Sequence, residues 1–206
     1  MMNPRNKKTG CLIVVSGPSG TGKSTIVNTV LDTCNDLSFS VSATTRQQRE
    51  GETEGVDYFF VTKERFQQMI DNNELLEHAE YVGNYYGTPR KAVLDKIENG
   101  SSILLDIEVQ GAEQVKDQFP EAVTMFVIPP SWEELERRLV NRGTDSMEKI
   151  QARLKQAKSE IEKIENYDYI IVNDVLETAI SEVISIIATQ NYKYNNRRSY
   201  HRCIQI

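Results

Sequence analysis

Two textures of hydrophobic patterning alternate along the chain. Short runs at Cys11–Val15, Ser102–Ile107, Val123–Ile128 and Tyr169–Val172 carry apolar residues at consecutive positions, as strands covered on both faces do. Between them the spacing turns helical. A helix is predicted from about Lys23 to Leu31. After Asp145 the residues Ile150, Leu154, Ala157, Ile161 and Ile164 form one buried stripe, which leaves Arg153 on another face. Capping signals mark three helix starts, at Ser131-Trp132-Glu133-Glu134, Asp145-Ser146-Met147-Glu148 and Asp174-Val175-Leu176-Glu177. Strands and helices in alternation predict βαβ units and hence an α/β, three-layer fold, with a central parallel sheet and helices on both faces.

Between about residues 43 and 91 the texture changes. Alternating runs at Asp57–Val61 and Glu77–Val82, with turn pairs Glu54-Gly55 and Gly83-Asn84, predict short antiparallel strands. No Pro- or Ser-rich linker flanks the segment, so a small inserted lobe of one fold is expected. Residues 1–206 then make a single domain, with a core of about 1–42, 92–138 and 157–206, the lobe at about 43–91 and a lid at about 139–156.

The length, 206 residues, suffices for one buried core. The 30 acidic against 24 basic residues give a formal net charge of −6, which offers no global field for nucleic acid or an anionic membrane. Any phosphate site must therefore be built from local Arg and Lys. The three cysteines, Cys11, Cys34 and Cys203, lack metal-like spacing and are expected to be free thiols in a reducing cytoplasm. The apolar run after the basic start is too short for a signal peptide, and nothing approaches transmembrane length. A cytoplasmic protein is expected, with no nucleic-acid or membrane partner; a homodimer is compatible with the sequence. Asn99-Gly100-Ser101 matches a glycosylation sequon but is expected to be a turn, and the basic tail Asn195–Arg202 is expected to be a frayed helix end.

The chemistry starts at Gly17-Pro18-Ser19-Gly20-Thr21-Gly22-Lys23-Ser24, followed by Thr25, which matches a phosphate-binding loop at every fixed position. Glycines let successive backbone N–H groups turn inward around phosphate oxygens, and the helix that starts there adds its positive end. Lys23 supplies a full charge to the β- and γ-phosphates, and the Ser24 hydroxyl can ligate Mg²⁺. The match lies between an apolar strand and a helix, which is the context this mechanism needs. Nucleoside triphosphate binding is expected.

A second anion site is suggested by Ser42-Ala43-Thr44-Thr45-Arg46-Gln47-Gln48-Arg49. Two arginines three residues apart suit the oxygens of a terminal phosphate, and Tyr58 and Tyr86 are candidate phenolic donors. Taken singly, each of these residues fits a solvated basic turn or a packed strand tyrosine equally well.

Taken in order, the motifs resemble the guanylate kinases: the phosphate loop, Thr-Thr-Arg-x-x-Arg, Asp57-Tyr58-Phe59-Phe60, Gly83-Asn84-Tyr85-Tyr86-Gly87-Thr88, Leu105–Gly111, Pro129-Pro130-Ser131, Arg142-Gly143-Thr144 and Ile171-Val172-Asn173-Asp174. The resemblance spans roughly Gly10 to Thr189. It implies ATP-dependent phosphorylation of GMP, and also of dGMP, with Mg²⁺. The lobe would bind GMP: Glu77 accepting from guanine N1–H and the exocyclic amine, the Ser42 and Thr88 hydroxyls donating to O6, and Arg46, Arg49, Tyr58 and Tyr86 taking the phosphate. Adenine would mismatch this set. Asp106 would hold Mg²⁺ through water and touch GMP, and Asn173 would lie at the adenine pocket. Lys23, Arg46 and the lid arginines Arg138, Arg142 and Arg153 would supply catalytic charge, with Gly143 as hinge. Many relatives carry Asp where this chain has Glu108. The alternative from another class is a non-catalytic guanylate-kinase-like module that binds protein ligands; here the phosphate loop and arginines are intact.

Overall fold

The computed structural model describes residues 10–81, 83–141 and 146–190. A wholly parallel sheet has the order β2-β7-β1-β8-β9, made from Leu37–Phe39, Ser102–Asp106, Leu12–Ser16, Val123–Ile128 and Tyr169–Val172. The central strand β1 is buried along its whole length. Ile13 and Val15 pack on one side with Ile26 and Val30 of α1 (Lys23–Thr33) and Val183 of α7 (Leu176–Gln190). Leu12 and Val14 pack on the other with Val93 of α3 (Arg90–Glu98) and Val115 of α4 (Val109–Gln118). Alternate residues of a strand point to opposite faces, so a strand covered on both sides needs the unbroken apolar run found here. The strand begins at Leu12, one residue later than the pattern predicts.

Helices α5 (Trp132–Asn141) and α6 (Met147–Ile161) have a separate core of Leu135, Leu139, Ile150, Leu154 and Ala157. The predicted Ser131 cap forms, its Oγ accepting the Glu134 N–H at 3.2 Å. The other two caps are displaced. Ser146 caps α6 by accepting the Lys149 N–H at 3.4 Å, while Asp145 lies outside the described residues. Asp174 is held by its own N–H to the Val172 carbonyl in the turn leaving β9, so α7 starts at Leu176 and its first bond runs from Ala179 to the Val175 carbonyl. The sequon is a turn as predicted: α3 is capped at Asn99 and Gly100 has φ +89°. Among the described residues no helix is long and apolar enough to cross a membrane, and neither Cys11 nor Cys34 forms a disulfide.

The inserted lobe is a second sheet of order β4-β3-β6-β5, from Tyr58–Phe60, Ser42–Thr44, Asn84–Pro89 and Leu75–Tyr81, with α2 (Lys63–Asp71) packed on it through Phe66 and Met69. β5 and β6 form the expected antiparallel hairpin. β4 does not follow the antiparallel prediction. It pairs parallel to β3, with Ser42 opposite Tyr58. Antiparallel neighbours are joined by a tight turn, whereas the long connection from Thr45 to Asp57 brings the chain back to the end where β3 began.

Candidate active site

A cleft of about 400 Å³ opens at the carboxyl ends of β1 and β7, where open parallel sheets place their ligands. β1 runs directly into Gly17–Thr25, all of which line it. Gly17 has φ +145°, and a Cβ there would stand 2.3 Å from the Val127 carbonyl oxygen, so β8 passes too close for any side chain. The loop is also fixed from behind. Asn173 Nδ2 donates to the Thr21 carbonyl at 2.7 Å, and Arg138 donates to that carbonyl at 3.3 Å and to the Asn173 carbonyl at 3.0 Å.

Lys23 Nζ lies 2.6 Å from Asp106 Oδ1. The pairing follows from strand register, because Asp106 sits opposite Val15, the second-last residue before the loop. Burial works against the ammonium charge, but Asp106 and Glu108 outweigh it, and Lys23 titrates above its ordinary value. The site thus holds a charged, largely buried lysine paired with a carboxylate at the phosphate loop. Arg153, from α6, lines the same cleft and donates from Nη1 to Ser19 Oγ at 2.7 Å.

The lobe supplies the facing wall through Ser42, Tyr58, Glu77 and Tyr86. Glu77 is 4% exposed and accepts the Thr88 hydroxyl at 2.6 Å. Burial pushes its carboxyl up to about 7, against the lowering effect of the Thr88 bonds. A buried carboxylate with one oxygen engaged by Thr88 can still accept from a pair of adjacent donors, so its surroundings suit a purine edge bearing N–H groups. Thr88 itself is buried and does not line the cleft, and its proton is committed to Glu77.

Arg46 lies behind the two tyrosines, with its guanidinium carbon 5.2 Å from the Tyr58 ring centre. Its fork is bidentate to Glu52, at 2.7 and 3.0 Å, and the Arg46 fork and the Arg49 N–H hold the Glu52 carboxyl down at about 2. Arg49 is exposed. The structure therefore gathers the phosphate loop, Ser42, Tyr58, Glu77, Tyr86, Asp106 and Arg153 around one cleft. Arg46, Arg49, Thr88, Arg138 and Asn173 do not line it, and Arg142, the Gly143 hinge, Cys203 and the basic tail lie outside the described residues. The Asn173 side-chain amide is engaged by the loop at Thr21.

Among the described residues no three His, Cys, Asp or Glu side chains converge to hold a metal. Ser24 and Asp106 offer a hydroxyl and a carboxylate at the loop. That sparse, hard oxygen set fits Mg²⁺, which keeps waters and takes further ligands from phosphates.

Some wall residues escaped the sequence reading. Ala79 and Tyr81 share the Glu77 face of β5, and the period of two along that strand was signal enough. Gly111 carried no such signal. A Cβ at this position in α4 would sit 2.3 Å from Glu77 Oε2. Gly111→Ala is therefore expected to fold, since alanine favours helix, yet to push the carboxylate aside. The expected loss is about 10²-fold in kcat/KM for a purine monophosphate acceptor, with the KM for the triphosphate unchanged. Steady-state kinetics with each substrate varied in turn checks this, and an unaltered acceptor KM would show that Glu77 is free to move.

A family model described as Guanylate kinase matches residues 9–190. The chain is 50% identical over 187 residues to a guanylate kinase of Oceanobacillus iheyensis, covering 91% of each chain. It is 46% identical over 201 residues to one of Halalkalibacterium halodurans, covering 97% of this chain and 98% of the relative. The crystal structure of guanylate kinase from Anaplasma phagocytophilum superposes with a TM-score of 0.75 at 39% identity, covering 92% of this chain and 90% of that one.

Proposed function

The chain belongs to the guanylate kinase family, and from that premise we infer that it transfers the γ-phosphoryl group of ATP to GMP, giving ADP and GDP. The observation that carries this reading is a single cleft with an intact phosphate loop on one wall and a buried carboxylate, Glu77, on the other. A protein-binding module would have no use for a charged lysine held at 2.6 Å from a carboxylate inside such a loop. dGMP is expected as a second acceptor, because no side chain stands out as reading a ribose hydroxyl. Its setting would be the cytosol.

A GMP phosphate oxygen is already ionised near pH 7, so it attacks the γ-phosphorus in line without a general base, and the bond to the ADP bridging oxygen breaks. The residues position the reactants and offset charge. Backbone N–H groups of Ser19–Thr25 and the Lys23 ammonium hold the ATP phosphates. Tyr58 and Tyr86 take the GMP phosphate, joined by Arg46 and Arg49 once the Arg46 fork leaves Glu52. Glu77 and Ser42 read the guanine edge, and Thr88 orients Glu77 through its hydroxyl. Arg153 and Arg142 support charge on the transferring group from the lid at about 139–156, and Arg138, at its border, braces the phosphate loop through the Thr21 carbonyl. Ser24, and Asp106 through water, would hold Mg²⁺, which would supply charge neutralisation for the reacting phosphates.

A coupled ADP-release assay tests the reading with Mg·ATP and GMP, dGMP, AMP, UMP or no acceptor. Turnover stimulated by GMP and dGMP and abolished by EDTA is expected. ATP binding without any acceptor-stimulated turnover would overturn the kinase assignment.

A further inference from the structure

β5 is an edge strand, paired on one side only, with β6. Its other side would present unpaired N–H and C=O groups, but α4 covers them with side-chain amides. Gln114 Oε1 accepts the His78 N–H at 3.1 Å and its Nε2 donates to the His78 carbonyl at 2.7 Å. That two-point contact is the one a neighbouring strand would make. One turn further on, Gln118 Nε2 donates to the Leu76 carbonyl at 2.9 Å. Gly111, Gln114 and Gln118 fall three and four residues apart on one helix face, and Gly111 brings that face against the Glu77 carboxylate.

Glu77 thus lies between two residues whose peptide groups are fixed from α4. The strand needs this support locally, because the β5–β6 register shifts between Leu75 and Glu77. Such an irregularity re-aims the side chains beside it and loosens the ladder that would otherwise hold them. Binding groups must be held within about 0.5 Å to discriminate, so the side of the strand lacking a β partner becomes the place where the aim of Glu77 is set.

We propose that Gln114 is a positioning residue for base recognition: by clamping the His78 peptide it aims Glu77, so guanine selectivity is determined partly from α4, outside the lobe. The proposal rests on Glu77 as the group that reads guanine. It differs from simple edge protection, which would stabilise the fold without regard to the base.

The test uses the full chain with Gln114→Leu, similar in size but without hydrogen bonds, alongside Glu77→Gln. GMP is compared with IMP, whose base lacks the exocyclic amine and keeps N1–H. In Gln114→Leu the GMP:IMP ratio of kcat/KM is expected to fall about tenfold, a shift of about 1.4 kcal/mol, while the KM for ATP stays within about twofold. Gln114→Glu, which keeps the acceptor for the His78 N–H but sets an anion against its carbonyl, is expected to lower the ratio too and serves if the leucine variant does not fold. A ratio unchanged in the Gln114 variants but collapsed in Glu77→Gln would overturn the positioning role alone, even if Tm fell. A ratio unchanged in Glu77→Gln would overturn the Glu77 reading and this proposal with it.

Discussion

Arg153→Met is expected to lower kcat by about 10³–10⁵, the range that a charge-stabilising arginine supplies in phosphoryl transfer. Arg153 projects from α6 into the cleft and reaches the phosphate loop at Ser19, so its guanidinium arrives where the transferred group must pass. The interaction would be made chiefly in the transition state. Loss should therefore appear in kcat with little change in the KM for GMP. Arg153→Lys should restore only a small part, because a point charge lacks the planar fork. A fall in kcat of less than tenfold, in single-turnover and steady-state assays, would remove Arg153 from the chemistry and leave it a contact between helix and loop.

Glu77→Gln is expected to reduce kcat/KM for GMP by about 10²–10³, the cost of replacing a buried charged acceptor by a group that offers a donor to a donor. The wild-type pH profile carries a second signature. Glu77 titrates at about 7, and only its ionised form can accept from both guanine donors. The kcat/KM for GMP should fall about tenfold per pH unit below 7 and level above it, and the Glu77→Gln profile should lose that limb. Stability runs the other way. A carboxyl raised from 4.5 to about 7 in the folded state binds more protons folded than unfolded between those values, so its contribution is complete below pH 4.5 and is lost as pH rises through 7. The loss is on the order of 3 kcal/mol. Glu77→Gln should raise Tm without GMP at pH 8 and leave it nearly unchanged at pH 4.5; equal Tm at both values would mean the carboxyl is not penalised by burial.

The central strands β7, β1 and β8 were legible because burial on both faces writes itself into sequence as unbroken apolar runs. β9 kept such a run although Ile170 and Val172 are exposed, and the short, half-exposed edge strand β2 was not read at all. Three strand boundaries shifted by no more than a residue, as at Leu12 and Asp106. The phosphate loop was legible for a different reason: its residue types answer to a local backbone shape, so nothing distant is needed to read it. β4 was misjudged because direction depends on where a connection ends, and alternation along Tyr58–Phe60 is the same for either direction. α2 had a signature, with Thr62 capping before Phe66 and Met69, but strand-like neighbours obscured it. Hidden altogether were contacts between distant segments. Glu52 on Arg46, Gly111 on Glu77 and Gln114 on His78 each join positions that are unremarkable alone.

The order of the parallel sheet also bears on how the chain leaves the ribosome. β1 is flanked by β7 and β8, and Ser16 bonds to the carbonyl of Ile107, 91 residues along. At about 5–20 residues per second, the most apolar strand waits on the order of 5–20 s for its first partner. The lobe sheet, in contrast, draws all its strands from Ser42–Pro89 and can close earlier around Phe66. Nascent chains stalled just after the lobe should then hold a folded lobe beside an unpaired, sticky first strand. In that interval Leu12–Ser16 has neither of its strand neighbours to cover it.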